Sequence, residues 1–416
     1  MSTERAATRD SAPSGAEAAP ATVRTVGATL VLDYLFSHLG YFTLLPVLPV
    51  LLPRLHPGVN AWWIGTALLA STFALRAGAL FIGGYLHRAP VRRTMVGGLL
   101  LAGAGFGALP WAPGIPGILC CLVTAGFGIS VNGLTARAYV VRALPSAGDR
   151  TAVFSAIQVA VNVSAALGPV IANFLFGGGH YGSLLSLVAV LYVVAAGSAL
   201  VTVPAGLRLS TQEERRPLRL GILKVVFTAP DVRRVAWVTA VGSLLYAQLF
   251  SALALHIARL TEDSALRAAF FSLNAVLVVG LQIPVTAFMR RGMERGGHPL
   301  RYLLLGLLAF SCAYAVLGLG AHSLVAAFAA VVVFTFAETL FTPTVSTAFA
   351  ELGGDRPVVE LLSLRQVATA AGESAGSFAG GTFFLLASSH GGPGVFWFPL
   401  AAAGVFTAVL ARKGER

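Results

Sequence analysis

Apolar residues run through this chain in long unbroken blocks, neither alternating with polar ones nor confined to one helical stripe. Twelve blocks stand out, at 26–52, 64–86, 95–111, 115–137, 152–176, 183–206, 234–257, 268–288, 300–320, 323–348, 362–387 and 394–411. A helix needs about 20 mostly apolar residues to cross a hydrocarbon core roughly 30 Å thick, and each block approaches or exceeds that length. The pattern therefore predicts an all-α polytopic membrane protein of twelve transmembrane helices. The longest polar stretch within the folded part is Arg208-Leu-Ser-Thr-Gln-Glu-Glu-Arg-Arg216, followed by a short amphipathic piece through Arg233-Arg234. It separates a six-helix bundle at 25–207 from a second at 234–412, with 208–233 as a cytoplasmic connecting loop. Residues 1–24, rich in Ala, Ser, Thr and Pro, are expected to be a disordered cytoplasmic tail, and 413–416 a short tail at the other end.

The two halves carry matching residues. Asp149-Arg150 recurs as Asp355-Arg356 at an offset of 206, and Ser155, Gln158 and Gly168 recur as Ser363, Gln366 and Gly376 at 208. Spans 4–5 thus read as a diverged copy of spans 10–11. Parallel repeats of this kind put a transport site between the halves, near the bilayer midplane.

Composition agrees. Hydrophobic residues make up 56% of the 416 and charged residues 11%, against roughly 25% charged in a soluble domain. So few charges exclude a soluble fold of this size, and the hydrophobicity excludes disorder, collagen and small disulfide scaffolds. Net charge is +12, and its distribution is informative. With both termini cytoplasmic, 25 of the 29 Lys and Arg fall on the inner side, Arg54, Arg259 and Arg267 on the outer, and Arg76 within a span. Cytoplasmic loops collect Arg and Lys, and a wrong span count would scramble that asymmetry. The ratio of 27 Arg to 2 Lys suggests a high-GC, bacterial gene, hence a plasma (inner) membrane. Only Lys224 and Lys413 are lysines, so no Lys-rich nucleic-acid arm exists. Cys120, Cys121 and Cys312 lack metal or disulfide spacing, and no phosphate-binding GxxxxGK[ST] is present. No cofactor and no catalytic constellation is expected; the expected partners are the lipid bilayer, protons and a small-molecule substrate.

A charge deep in the bilayer is costly, so each one marks a candidate site. Asp33 lies about two turns into span 1, Arg76 near the middle of span 2, Glu338 deep in span 10 and Glu373 halfway along span 11. Similar depths allow Asp33 and Arg76 to meet, either in proton exchange or as a fixed structural pair. The offset of 206 sets Asn132 opposite Glu338 on one cavity. Tyr246, Gln248, Asn274 and Gln282 form a second tier, as cavity residues or plain interhelical hydrogen-bonding groups. Gly372, Gly376 and Gly380 repeat every four residues, a face that admits close helix approach.

Several of these residues fall into a pattern that resembles the major facilitator superfamily, within it the twelve-span drug:proton antiporters of the MdtH multidrug-exporter type. Asp33 precedes Gly40 and Pro46 in span 1, similar to an Asp-x6-Gly signature. The span 2–3 loop reads Gly84-Tyr-Leu86-His-Arg-Ala-Pro-Val-Arg92-Arg93; Gly84, Leu86, Arg92 and Arg93 match the GxLaDRxGRR loop that such transporters use at the inner gate. Gly168-Pro169 stands in place of the antiporter motif's Gly-Pro, and Asn274 to Pro284 and Glu338 to Pro343 resemble common features of spans 8 and 10. The chain departs from the pattern where the loop acid is Arg88, its second glycine Val91, and the span 4 arginine Leu122. The resemblance implies two six-helix bundles rocking about a central cavity, normally as a monomer. The leading expectation is proton-coupled efflux of small amphipathic organic compounds. Uptake of a metabolite by the same fold, and a non-transporting receptor or scaffold, stand as alternatives.

Overall fold

The computed structural model describes residues 23–86, 89–144, 147–208, 226–352 and 358–413. They form fourteen α-helices: α1 (Val23–Leu44), α2 (Leu48–Leu55), α3 (Ala61–Leu86), α4 (Val91–Gly107), α5 (Gly114–Ala143), α6 (Ala147–Gly177), α7 (Tyr181–Thr202), α8 (Pro230–Tyr246), α9 (Ala252–Leu260), α10 (Ser264–Glu294), α11 (Pro299–Leu319), α12 (Leu324–Glu351), α13 (Val358–His390) and α14 (Gly394–Lys413). Helix is what an apolar chain must form in lipid, where every backbone polar group needs a partner within its own segment. The only strand-like pairing among the described residues is an isolated bridge between Pro90 and Arg208.

The twelve apolar blocks map onto these helices with two breaks. The block at 26–52 is not one helix: α1 and α2 meet at a 63° bend. Pro46 lies in the turn and Pro49 in the first turn of α2, and a proline removes the N–H that a continuous helix would use. Span 7 is likewise broken, into α8, a 3₁₀ turn at Ala247–Phe250 and α9. Eight spans, with α8 and α9 counted as one, are long and apolar enough to cross a membrane, and the bent α1–α2 pair makes nine. The remaining three, α3, α4 and α13, pack among them; α4 has only 17 residues, and α13 is diluted by its polar positions. The expected tail at 1–24 and loop at 208–233 need correction at their edges. Helix α1 already begins at Val23 and α8 at Pro230, while 1–22, 209–225 and 414–416 lie outside the described residues.

Packing reveals the internal symmetry. In the first half α1 packs on α6 and α7, α4 on α5 and α7, and α3 on α5. Six spans later, α8 packs on α13 and α14, α11 on α12 and α14, and α10 on α12. Each pairing recurs one-to-one. The two main contacts between halves, α3 with α13 and α6 with α10, exchange under the same shift, as a twofold axis requires. Each half also has its own apolar core, one built from residues between Val26 and Val203, the other from residues between Ala229 and Ala411.

Small residues set the closest approaches. Gly372, Gly376 and Gly380 face α8 and the turn after it: a Cβ at Gly372 would lie 2.8 Å from the Ser243 Cβ, and one at Gly376 2.9 Å from the Ala247 Cβ. Gly168, the counterpart of Gly376, does the same for α6 against α1, where a Cβ would sit 2.6 Å from the Phe42 carbonyl carbon. Pro169 is buried beside it, and the Asn173 amide donates to the Pro169 carbonyl at 2.9 Å.

Candidate functional site

The two halves meet along α3–α13 and α6–α10, and the contacts gather at one end of the molecule. On α13, Thr382 donates to the Ala61 carbonyl at 3.3 Å, and Trp62 packs against Phe378 and Phe383. Deeper in, the Thr72 and Ser377 hydroxyls are 3.1 Å apart, and the Gln366 amide donates to the Arg76 carbonyl at 2.7 Å. From Ala61 to Arg76 is 15 residues, or about 22 Å of helix, past the midpoint of a membrane. On the other side Ser272 donates to the Ala166 carbonyl at 2.8 Å, and the Arg267 guanidinium lies over the Phe176 ring. Phe42 and Phe250, on the broken first spans of the two halves, close the middle with ring centroids 6.1 Å apart.

Beneath this closed end lie the buried charges, and they pair otherwise than depth alone suggested. Arg76 does not meet Asp33. Its Nε donates to a carboxylate oxygen of Glu373 across the boundary between the halves. Glu373 is 9% exposed and Arg76 38%. The physical reason is helix order: α3 lies along α13, whereas α1 packs on α6 and α7. Tyr41 and Tyr246 stand within electrostatic reach of the pair.

Asp33, fully buried, instead receives the Asn132 amide, whose nitrogen is 3.1 Å from each carboxylate oxygen. Asn132 therefore serves Asp33 in its own half rather than facing Glu338. In the second half the Asn274 amide donates to Glu338 at 2.9 Å and to the Thr335 hydroxyl at 3.0 Å. Glu338 is partly open, and Tyr246 is within hydrogen-bonding reach of it. Both carboxylates are thus held by an asparagine amide, and among the described residues neither has an ion-pair partner. Asn132 lies on α5 and Glu338 on α12, the span that holds the corresponding place in the packing of the second half.

Other expected residues fall elsewhere. Gln248 is fully buried and donates to the Leu244 and Gly376 carbonyls, which ties the turn after α8 to α13. Gln282 is half-buried and donates to Thr286 on its own helix. Tyr246 stacks on Phe334. Arg92 and Arg93 open α4, whereas Gly84 and Leu86 end α3 within 79–86, whose side chains lie outside the described residues, as does Arg88. Sequence reasoning passed over Tyr41, Thr72 and Ser377, which are ordinary residues until the halves come together. Arg137 and Arg365, counted from the sequence among the inner-side basic residues at the end of span 4 and the start of span 11, lie within α5 and α13, and Arg365 feels the charges of Arg137 and Arg76.

Residues 30–377 match the family model of the Major Facilitator Superfamily. The chain belongs to this superfamily. Among its relatives is the multidrug resistance protein MdtH of Yersinia enterocolitica, 25% identical over 386 residues, or 91% of this chain and 92% of that protein. MdtH of Aeromonas hydrophila is 24% identical over 389 residues, covering 92% and 93%. The POT family transporter PepTSo, solved in meso, shares the fold with a TM-score of 0.75 at 13% identity, over 95% of this chain and 98% of that one. Family and fold together make this a multi-pass membrane transporter.

Proposed function

We propose that the protein is a secondary active transporter that exports small amphipathic organic compounds in exchange for protons by alternating access. The observation that carries this reading is the pair of carboxylates, Asp33 and Glu338, one in each half, each held by an asparagine amide and, among the described residues, by no cation. Burying an ionised carboxylate without a counter-charge is costly. A proton on it removes that cost, so loading and unloading protons is coupled to how the cavity is hydrated. The multidrug naming of the MdtH relatives supports a broad, amphipathic substrate class. Tyr41, Tyr246 and Phe42 offer aromatic surface beside the charges.

The Arg76–Glu373 pair gives the cycle its gate. It joins α3 to α13 under the closed end and separates when that end opens, where water compensates both charges. The loop-charge asymmetry supports an orientation with the closed end outside and both termini in the cytoplasm; on that orientation the conformation described here faces inward. The protein is read as acting as a monomer, since each chain holds both halves of the site.

The test is accumulation of a panel of labelled dyes and antibiotics in efflux-deficient cells carrying wild type, Asp33→Asn or empty vector, with and without a protonophore. Lower accumulation with wild type alone, abolished by the protonophore, is expected. Higher accumulation would reverse the direction and favour uptake. No change across the panel, with the protein present in the membrane, would favour a receptor or scaffold.

A further inference from the structure

On the face opposite the closed end, the chain builds a second polar pocket far from the charge pairs. The segment after α7 folds back onto the α3–α4 connection. The Val91 N–H donates to the Leu207 carbonyl at 2.8 Å, and Pro90 bridges Arg208. This strap carries Arg208 to Arg92 and Arg93, more than a hundred residues earlier in sequence, around a cavity of about 250 Å³ lined also by Pro90, Ala205 and Gly206. Arg93 and Arg208 are exposed and Arg92 half-exposed. Arg92 reaches the Leu200 carbonyl at 3.5 Å, and among the described residues none of the three forms an ion pair with an acid. No Asp or Glu occurs in 84–93 or 200–211; the next acids along the chain, Glu213 and Glu214, lie outside the described residues.

Three guanidinium groups around one cavity repel one another unless an anion sits between them. Arginine is the side chain best matched to phosphate, because its planar fork donates two parallel hydrogen bonds. The pocket lies where α4 begins and α7 has ended, at the level where apolar spans give way to polar connections. The groups concentrated at that level of a membrane are lipid phosphates, and on a cytoplasmic face many of these lipids are anionic. We infer that Arg92, Arg93 and Arg208 form a binding site for the phosphate of an anionic phospholipid headgroup, which clamps the strap after α7 to the start of α4. A lipid held there would bear on the α3–α4 connection and so on the movement of α3 against α13.

The test uses the purified full-length protein in detergent micelles and short-chain phosphatidylglycerol, with binding followed by intrinsic tryptophan fluorescence and by native mass spectrometry of retained lipid. Arginine near an anionic lipid surface contributes about fivefold in affinity per residue, so Arg93→Gln with Arg208→Gln is expected to weaken binding roughly thirtyfold. Arg93→Lys with Arg208→Lys, which keeps the charge, is expected to restore most of it. Both residues are exposed, and circular dichroism checks that the variants stay folded. Unchanged phosphatidylglycerol binding in the glutamine variant would overturn the site. Equal affinity of wild type for phosphatidylcholine would overturn recognition of an anionic headgroup. Displacement of the lipid by millimolar inorganic phosphate would overturn the lipid assignment and leave a soluble-phosphate pocket instead.

Discussion

If Arg76 and Glu373 hold the closed end shut, replacing Glu373 by Gln should shift the balance between the two states of the transporter by a predictable amount. Removing one member of a buried ion pair costs about 3–5 kcal/mol, whereas an exposed pair is worth roughly 0–1 kcal/mol. This pair lies between, with Glu373 9% and Arg76 38% exposed. Water at the arginine screens the interaction, which brings the expected value to about 2 kcal/mol. Only the closed state makes the pair, because opening separates α3 from α13 and hydrates both charges. The ratio of open to closed should then rise about thirtyfold in Glu373→Gln. Spin labels at Asn60 and Ser389, exposed positions at the closed-end termini of α3 and α13, would report that ratio by pulsed electron resonance once Cys120, Cys121 and Cys312 are replaced by Ser. Arg76→Gln should give a similar shift, and the double variant should add little, since each single change already breaks the same pair. Distance distributions that superimpose on wild type, or single effects that simply add in the double variant, would refute the gate.

Asp33→Asn and Glu338→Gln should each lower protonophore-sensitive efflux at least tenfold while leaving the thermal unfolding temperature close to wild type, because a neutral amide still accepts the Asn132 or Asn274 N–H; retained efflux in both would remove the carboxylates from the coupling. Gly376→Leu forces a side chain into the Leu244 and Ala247 contact and should destabilise the protein by about 1–3 kcal/mol. By contrast, Gly97→Ala, where a Cβ meets nothing within 4 Å, should stabilise by up to about 1 kcal/mol in the same unfolding measurement. A Cβ at Gly177 would lie 3.0 Å from that of Ser264 across the halves, near the roughly 3.5–4.5 Å of a disulfide. Gly177→Cys with Ser264→Cys should therefore crosslink under mild oxidation and stop transport until reduced; transport at the wild-type rate by crosslinked protein would mean that the closed end need not open.

How much the sequence determined follows from where each kind of information resides. Span positions depend on local hydropathy, which no distant residue alters, so the blocks from 26–52 to 394–411 appear as helices in their places. The doubling into two halves was legible for a related reason. Repeat copies keep the residues that touch at close quarters, and Gly168 and Gly376 hold equivalent contacts in α6 and α13. The buried charges could also be picked out singly, since Asp33, Arg76, Glu338 and Glu373 stand alone in apolar surroundings. Their partners could not. Depth gave Arg76 to Asp33, but a chain of twelve helices can be ordered around a cavity in many ways, and the order that brings α3 beside α13 is a property of the whole packing. The same holds for the strap that carries Arg208 to Arg92 and Arg93: a hydrogen bond from Val91 to Leu207 leaves no local signature in either segment. Local hydrophobicity sets which segments enter the membrane, and only the tertiary arrangement decides which charge meets which.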